Sequence, residues 1–297
     1  MKAKRFYMAG LVSWSFLLPA SADVVYSNLQ NIAIPTNFSG VYLNVETGSW
    51  NTNINSPQAG WDVNPFFGGS VMWNSPTFQP VRTGTGEMDA VVNVAAGSTV
   101  GSGSTYSTFV QGPGGENPGG PGYGISETHM GAGVGQFVSG TEGYLGFRLN
   151  GTDYGYMRVV LTNNSGGAVI KDWAYDTSGA SVVVGGIRQV GQDVILSSGF
   201  TLASAVINSG GATNLVKNGS GTNTLSATST FTGSTTVNDG KLLINGSLAN
   251  TSGVTVNDGA TLGGNGSIAG PVTLNSGATI SAGEGIDSLT TGSNTWN

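Results

Sequence analysis

The sequence predicts an all-β chain in two unlike parts, an antiparallel β-sandwich of jelly-roll type followed by a right-handed parallel β-helix. Three observations carry that expectation. Short runs rich in Val, Ile, Tyr, Phe and Thr alternate with Gly, Pro, Asn and Ser, and no helical period fits as well. Of the 26 aromatic residues, 19 fall between Asp23 and Gly186 and only Phe200, Phe231 and Trp296 come later, so the two parts must fill their interiors with different side chains. From Val206 onward the chain repeats itself.

The first 22 residues stand apart from both. Lys2, Lys4 and Arg5 precede an apolar run over residues 6–18, and Pro19-Ala20-Ser21-Ala22 supplies an A-x-A cleavage signature before Asp23. This is the pattern of a secretory signal peptide, and the run is shorter than the roughly 20 apolar residues a membrane span needs. Cleavage there removes three of the basic residues, so the net charge goes from −6 to −9. No later segment is long and apolar enough to span a bilayer as a helix.

Residues 23–186 are expected to form the sandwich. Candidate strands cover residues 41–45, 71–73, 91–94, 144–149, 154–161 and 169–175. Leu145, Phe147 and Leu149 alternate with Tyr144, Gly146 and Arg148, and Asn150-Gly151-Thr152-Asp153 supplies turn residues, which reads as a hairpin. Each sheet is expected to have one buried and one polar face. Residues 111–135 read as a long Gly/Pro loop, and residues 187–205 as a connecting segment.

Residues 206–297 carry the repeat. Thr235-Thr236-Val237-Asn238-Asp239-Gly240, Val254-Thr255-Val256-Asn257-Asp258-Gly259 and Val272-Thr273-Leu274-Asn275-Ser276-Gly277 share one pattern, with Val237, Val256 and Leu274 spaced by 19 and 18 residues. A unit this short buries its apolar face only by stacking on its neighbours, which predicts Val237 over Val256 over Leu274. Low charge follows, because coils about 4.8 Å apart would set like charges against each other, whereas Thr, Ser and Asn stack well.

Residues 215–247, LVKNGSGTNTLSATSTFTGSTTVNDGKLLINGS, resemble the autotransporter-associated β-strand repeat, also called the passenger-associated transport repeat. Leu215, Lys217, Gly219, Gly221, Thr222, Leu225, Ser226, Phe231, Thr232, Gly233, Thr235, Val237, Gly240 and Leu242 occupy its positions, while Asn223 replaces the usual apolar residue. The resemblance covers the last third of the chain and implies a secreted bacterial surface protein whose β-helix aids folding and export. The sequence ends at Asn297 within what reads as another rung and contains no outer-membrane barrel segment. The expectation is therefore a truncated product, a fragment of a longer gene, or a member exported by another route. The first part more loosely resembles an uncharacterised secreted β domain, through residues 144–149, Tyr154-Gly155-Tyr156 and Asp172-Trp173-Ala174-Tyr175, without the Pro-Glu-Pro sorting anchor that accompanies some of its members.

Reactive side chains are scarce. Among 297 residues there are 50 glycines, no cysteine and one histidine, which excludes disulfides, thiolate nucleophiles and His-rich metal clusters. The acidic balance supplies no footprint for nucleic acid. His129 beside Glu127 lies in a Gly-rich loop without a nucleophile elbow, and Glu87 with Asp89 is a carboxylate pair of the kind many surfaces carry. Gly131-Ala132-Gly133-Val134-Gly135 lacks the spacing of a nucleotide loop. A polysaccharide lyase built on a β-helix needs a basic residue and commonly Ca²⁺ carboxylates, yet beyond Val206 the charged residues are Lys217, Lys241, Asp239, Asp258, Glu284 and Asp287. Asp239 and Asp258 sit on successive corners without the Gly-Gly-x-Gly-x-Asp calcium repeat. The Asn-x-Ser/Thr sites at Asn37, Asn150, Asn163, Asn218, Asn245 and Asn265 follow from turn composition.

No residue is therefore assigned a catalytic, cofactor-binding or metal-binding role, and no cofactor is expected. The expected function is that of an exported, non-enzymatic structural or adhesin-like protein, secreted or held at the outer cell surface, with an extracellular ligand as partner. Trp50, Trp61, Trp73 and Trp173 are expected to fill the core of the first part; the alternative is a carbohydrate-binding or carbohydrate-active sandwich displayed on the β-helix, in which exposed Trp and Tyr side chains stack on sugars. An open last coil exposes a strand edge, so self-association is also expected.

Overall fold

A computed structural model describes residues 23–85, 90–106, 136–162, 164–282 and 288–297. The expected leader, the 111–135 loop, Glu87, Asp89, Glu127, His129, Gly131 to Gly135, Asn163, Glu284 and Asp287 lie outside the described residues. Within them the chain is all β apart from one 3-10 turn, Phe67–Gly69.

The C-terminal part is a β-solenoid whose coils have three sides. One side stacks Asp193–Leu196, Asn214–Lys217, Ser234–Val237, Gly253–Val256, Val272–Leu274 and Asn294–Trp296 as parallel strands. The second stacks Phe200–Leu202, Thr222–Leu225, Lys241–Ile244, Thr261–Gly263 and Thr279–Ser281. The third stacks Thr228–Ser229, Ser247–Leu248, Ser267–Ile268 and Thr290–Thr291. Val237 pairs with Val256 and Val256 with Leu274, as the repeat requires. Alternate residues point inward, so Leu242, Ile244, Leu248, Val254, Leu262 and Ile268 are buried in one column-built core.

Polar stacking accompanies the apolar columns. The Asn238 amide donates to Asn218 at 2.8 Å, Asn257 to Asn238 at 2.6 Å, Asn275 to Asn257 at 2.8 Å and Asn297 to Asn275 at 3.0 Å. Each rung thus satisfies the next with a neutral donor and acceptor, which a charged residue repeated at this spacing cannot do.

The segment expected to connect the two parts, residues 187–205, is itself built into the solenoid. Ile187–Val190 forms an antiparallel hairpin with Asp193–Leu196 that covers the first coil, and Phe200–Leu202 forms the next side. Val194 and Leu196 stand in register with Leu215 and Lys217. Val194, Leu196 and Gly199 keep the spacing of Val272, Leu274 and Gly277, a signal in the sequence that would have placed the first coil here.

In the N-terminal part, the Glu142–Leu149 and Asp153–Val160 hairpin occurs as expected, flanked by Val169–Asp176 and Phe78–Pro80. Facing it is a second antiparallel sheet of Trp50–Asn51, Tyr42–Leu43, Val63–Phe66 and Val71–Asn74. Leu43, Val63, Met72, Phe147, Leu149, Met157, Ile170 and Trp173 fill the space between them. A second small cluster, Tyr42, Phe66 and Trp73 under Phe38, Ile54, Trp61 and Phe67, covers the outer face of the smaller sheet.

The polar outer face expected of each sheet is found on neither: the aromatic cluster covers that of the smaller sheet, and the solenoid covers that of the larger. Tyr154, Tyr156 and Ala174 on its other side join Val100, Val182, Val184 and the solenoid interior in one continuous core. The cause is the first strand, Asp23–Tyr26, which pairs antiparallel with Val169–Asp176 and parallel with Phe200–Leu202, so sandwich sheet and solenoid side are one 11-stranded sheet.

Two stability measurements follow from this packing. Gly240 and Gly259 both have positive φ, but a Cβ on Gly240 would lie 2.6 Å from the carbonyl oxygens of Gly219 and Gly221, whereas one on Gly259 meets nothing within 4 Å. Gly259→Ala should cost about 1–2 kcal/mol by backbone strain alone, and Gly240→Ala at least ~1 kcal/mol more by overpacking, as read by urea denaturation; equal losses would contradict the close inter-coil approach. Asn223 is fully buried, pairs in register with Leu242, and its amide donates to the Phe200 carbonyl at 3.4 Å while its Oδ1 has no partner among the described residues. Asn223→Leu should therefore stabilise the chain by about 1–2 kcal/mol, and a lowered melting temperature would show that the amide is needed.

Candidate functional site

The most concentrated polar chemistry lies where sandwich and solenoid meet. Strand alternation turns Asp172, Ala174 and Asp176 toward the solenoid and Trp173 and Tyr175 into the sandwich core. Arg158, on the neighbouring strand and 2% exposed, grips Asp172 with both forks: Nε to Oδ1 at 2.9 Å and Nη2 to Oδ2 at 2.5 Å. Nη2 also donates to the Gln189 carbonyl at 2.5 Å, in the hairpin that covers the first coil. The Tyr26 hydroxyl donates to Asp172 Oδ2 at 2.9 Å, and the Gln189 N–H reaches the same oxygen at 3.4 Å.

Four strands thus meet at one carboxylate. Burial pushes the Asp172 carboxyl up from its ordinary value, and the Arg158 guanidinium and Tyr26 hydroxyl pull it back. Burial likewise raises the Tyr26 phenol well above its usual range, reinforced by the Asp172 charge. Glu142 lies at the rim, 3.5 Å from Arg158 and 2.7 Å from Lys171; burial pushes it up, but those two cations outweigh burial and hold it below the usual carboxylate range. Beside this network the Tyr156 hydroxyl donates to the Ile187 carbonyl at 2.6 Å and accepts from its N–H at 3.0 Å. Each of these groups is bonded to a partner from another strand, so the arrangement fastens strands to one another.

One space near the joint, among the described residues, is a polar cleft of about 230 Å³ between the first strand and the turn after Asn44, lined among others by Tyr26, Ser27, Gln30, Glu46, Thr47 and Trp173. That is below the roughly 300–1,000 Å³ of ordinary small-molecule sites.

The residues weighed from the sequence are distributed as follows. Asp239 and Asp258 are exposed, with Asp239 Oδ1 accepting the Gly240 N–H at 2.7 Å. No group of three or more metal-ligating side chains gathers among the described residues. Lys217 is buried in the solenoid, its ammonium donating to the Gly219 carbonyl and, at 3.1 Å, to the Asp239 carbonyl of the next coil. Burial lowers its pKa from the ordinary value, opposed by the Asp239 charge. Of the tryptophans, Trp73 and Trp173 are buried, Trp173 donating to the Val45 carbonyl at 2.9 Å; Trp61 packs edge-on against Tyr42, and Trp50 is 45% exposed. Among the described residues no helix is long and apolar enough to cross a membrane.

Sequence reading did not single out the Arg158–Asp172 pair. A charged residue on the face opposite the sandwich core in each of two adjacent strands was the available signal, but it takes the pairing of Arg158 with Asp172 and the covering of that face by the solenoid to interpret it.

Residues 215–244 match the passenger-associated-transport-repeat family. Those residues form the second coil and the first two sides of the third, so the matched stretch is the unit that stacks. No curated protein and no solved structure matches the chain.

Asp172→Asn leaves the buried guanidinium with only the more distant rim carboxylate of Glu142 as a countercharge and should cost about 3–5 kcal/mol in chemical denaturation, with protection of the 187–196 amides lost first in hydrogen exchange. Glu142→Gln, at the half-exposed rim, should cost under ~1 kcal/mol. Equal effects would mean that the network is not the fastening between the two parts.

Proposed function

We propose that this chain is a non-enzymatic exported protein of the autotransporter-passenger type, in which the β-solenoid aids folding and export and presents the sandwich outside the cell. The observation that carries the reading is the transport-repeat match at residues 215–244 lying wholly inside an in-register stack of coils. It is supported by the leader-like first 22 residues, by the scarcity of charge, and by a joint in which one sheet runs through both parts. A stalk continuous with its head holds the head in a fixed orientation, which suits presentation. A neutral Asn ladder from Asn218 to Asn297 ties the coils together at one corner.

A second reading, that the head binds glycans, rests on Trp50, which is 45% exposed on the edge strand of the smaller sheet. The first reading is tested by fractionating the native host and probing intact cells with protease. Cleavage of the protein on intact cells is expected; recovery from the cytoplasm with residues 1–22 attached would refute it. The second is tested by a glycan array with the whole chain from Asp23, because residues 23–186 alone lack the strand Phe200–Leu202 that pairs with Asp23–Tyr26. Micromolar binding lost in Trp50→Ala would favour the glycan-binding head, and silence would favour simple display.

A further inference from the structure

Asp176, at the end of the same strand as Asp172, is a second carboxylate with no exposed surface. Its Oδ1 accepts the main-chain N–H of Ser178 at 2.9 Å and of Ala180 at 2.6 Å, and the Ser178 hydroxyl stands 3.0 Å from each oxygen. The remaining donor is the main-chain nitrogen of Asp23, 2.5 Å from Oδ2. Asp172 has Arg158 as its countercharge, but among the described residues no side-chain cation pairs with Asp176. Three main-chain N–H groups and a hydroxyl satisfy the hydrogen bonds of Asp176 but leave its buried charge without a countercharge among the described residues.

Position 23 is also the one that follows Ala20-Ser21-Ala22. Its backbone is fixed on both sides: Val24 pairs with Asp176, the Thr177 N–H and hydroxyl donate to the Asp23 carbonyl at 3.1 and 3.2 Å, and Asp23 pairs with Thr201 of the first coil. Hydrolysis of the Ala22–Asp23 peptide bond adds the water hydroxyl to the Ala22 carbonyl carbon and its hydrogen to the Asp23 nitrogen. Proton transfer then leaves a carboxylate on Ala22 and an α-ammonium on Asp23, with an ordinary α-amino pKa of about 7.7–8.0.

We propose that Asp176 is the receptor for the processed N-terminus: leader removal after Ala22 places the Asp23 ammonium against this buried carboxylate and completes its ion pair. Processing is thereby coupled to the joint, because the strand that carries the new terminus is the one shared by the sandwich and the solenoid. The proposal rests on the export reading above for the cleavage event, but the pair itself rests on the geometry of Asp176.

Two measurements separate these. Mass spectrometry of the protein exported by its host should give an N-terminus at Asp23; any other terminus overturns the cleavage step. Independently, the full chain beginning at Asp23 is compared with one retaining residues 19–22, each with Asp176 and with Asp176→Asn. The Asp23-terminal form should melt about 3–6 °C higher than the extended form, the size of shift one charge-assisted contact produces, and the difference should fall below about 1 °C in Asp176→Asn. Selective acetylation of the Asp23 amine removes the charge without changing the sequence and covers the case in which Asp176→Asn does not fold. It should lower the melting temperature as much as the extension does. An equal difference in both backgrounds, or an acetylated chain melting with the free one, overturns the ion pair.

Discussion

The backbone of Asp23–Tyr26 is bonded on one side to Phe200–Leu202 and on the other to Val169–Asp176, and neither part of the molecule has a complete sheet without it. Its inward side chains, Val24 and Tyr26, enter the core that runs from the sandwich into the coils, and Tyr26 ends on the Asp172 carboxylate. The parallel partner is far away in sequence, so closing this pairing costs more loop entropy than any coil-to-coil step, which joins strands about twenty residues apart. The solenoid can add coils by local contacts. The joint forms only when both parts are present.

Chemistry is distributed accordingly. Along the coils, where one environment repeats, the chain uses residues that tolerate their own kind at close range, such as aliphatic columns inside and the Asn218 to Asn297 ladder at a corner. At the joint no repeat applies, and there the chain places Arg158, Asp172, Glu142 and Lys171 within bonding reach. A buried ion pair gives little net stability over a well-packed apolar pair, but it is strict about geometry. The bidentate grip of Arg158 on Asp172, with Gln189 and Tyr26 at the same center, sets how the capping hairpin sits on the sandwich. The fit of the two parts is thus specified by polar groups, while the bulk of each is specified by apolar ones.

Function follows from that division. The coils supply length, a fixed twist and tolerance of stacking, with Lys217 used as an internal fastener to the carbonyls of Gly219 and Asp239 instead of a surface charge. The continuous sheet passes that rigidity to the sandwich, whose aromatic side chains are mostly packed inward, with Trp50 left at the edge. In the proposed function, that rigidity is what would present a surface at a set distance and orientation.

Much of this was legible in the residues. The recurrence of Val237, Val256 and Leu274 required stacked coils, because no other arrangement buries one face of so short a unit, and the alternation over residues 144–149 required a strand with an inward Leu145, Phe147 and Leu149. The first coil was harder to see because Val194, Leu196 and Gly199 carry the pattern with Ser197 in place of the corner Asn that Asn238, Asn257 and Asn275 supply. What the residues did not determine by themselves was which strands meet across the molecule. Tyr144 read as facing away from Leu145, and nothing in the residues singled out Arg158, Asp172 or Asp176, until the pairing of Asp23 with Thr201 brought the two sheets into one, half-burying Tyr144 and burying Tyr154, Tyr156 and the three charged residues. Local periodicity says which way a side chain points relative to its own strand; what it points at is settled by long-range pairing, and that is a property of the folded chain.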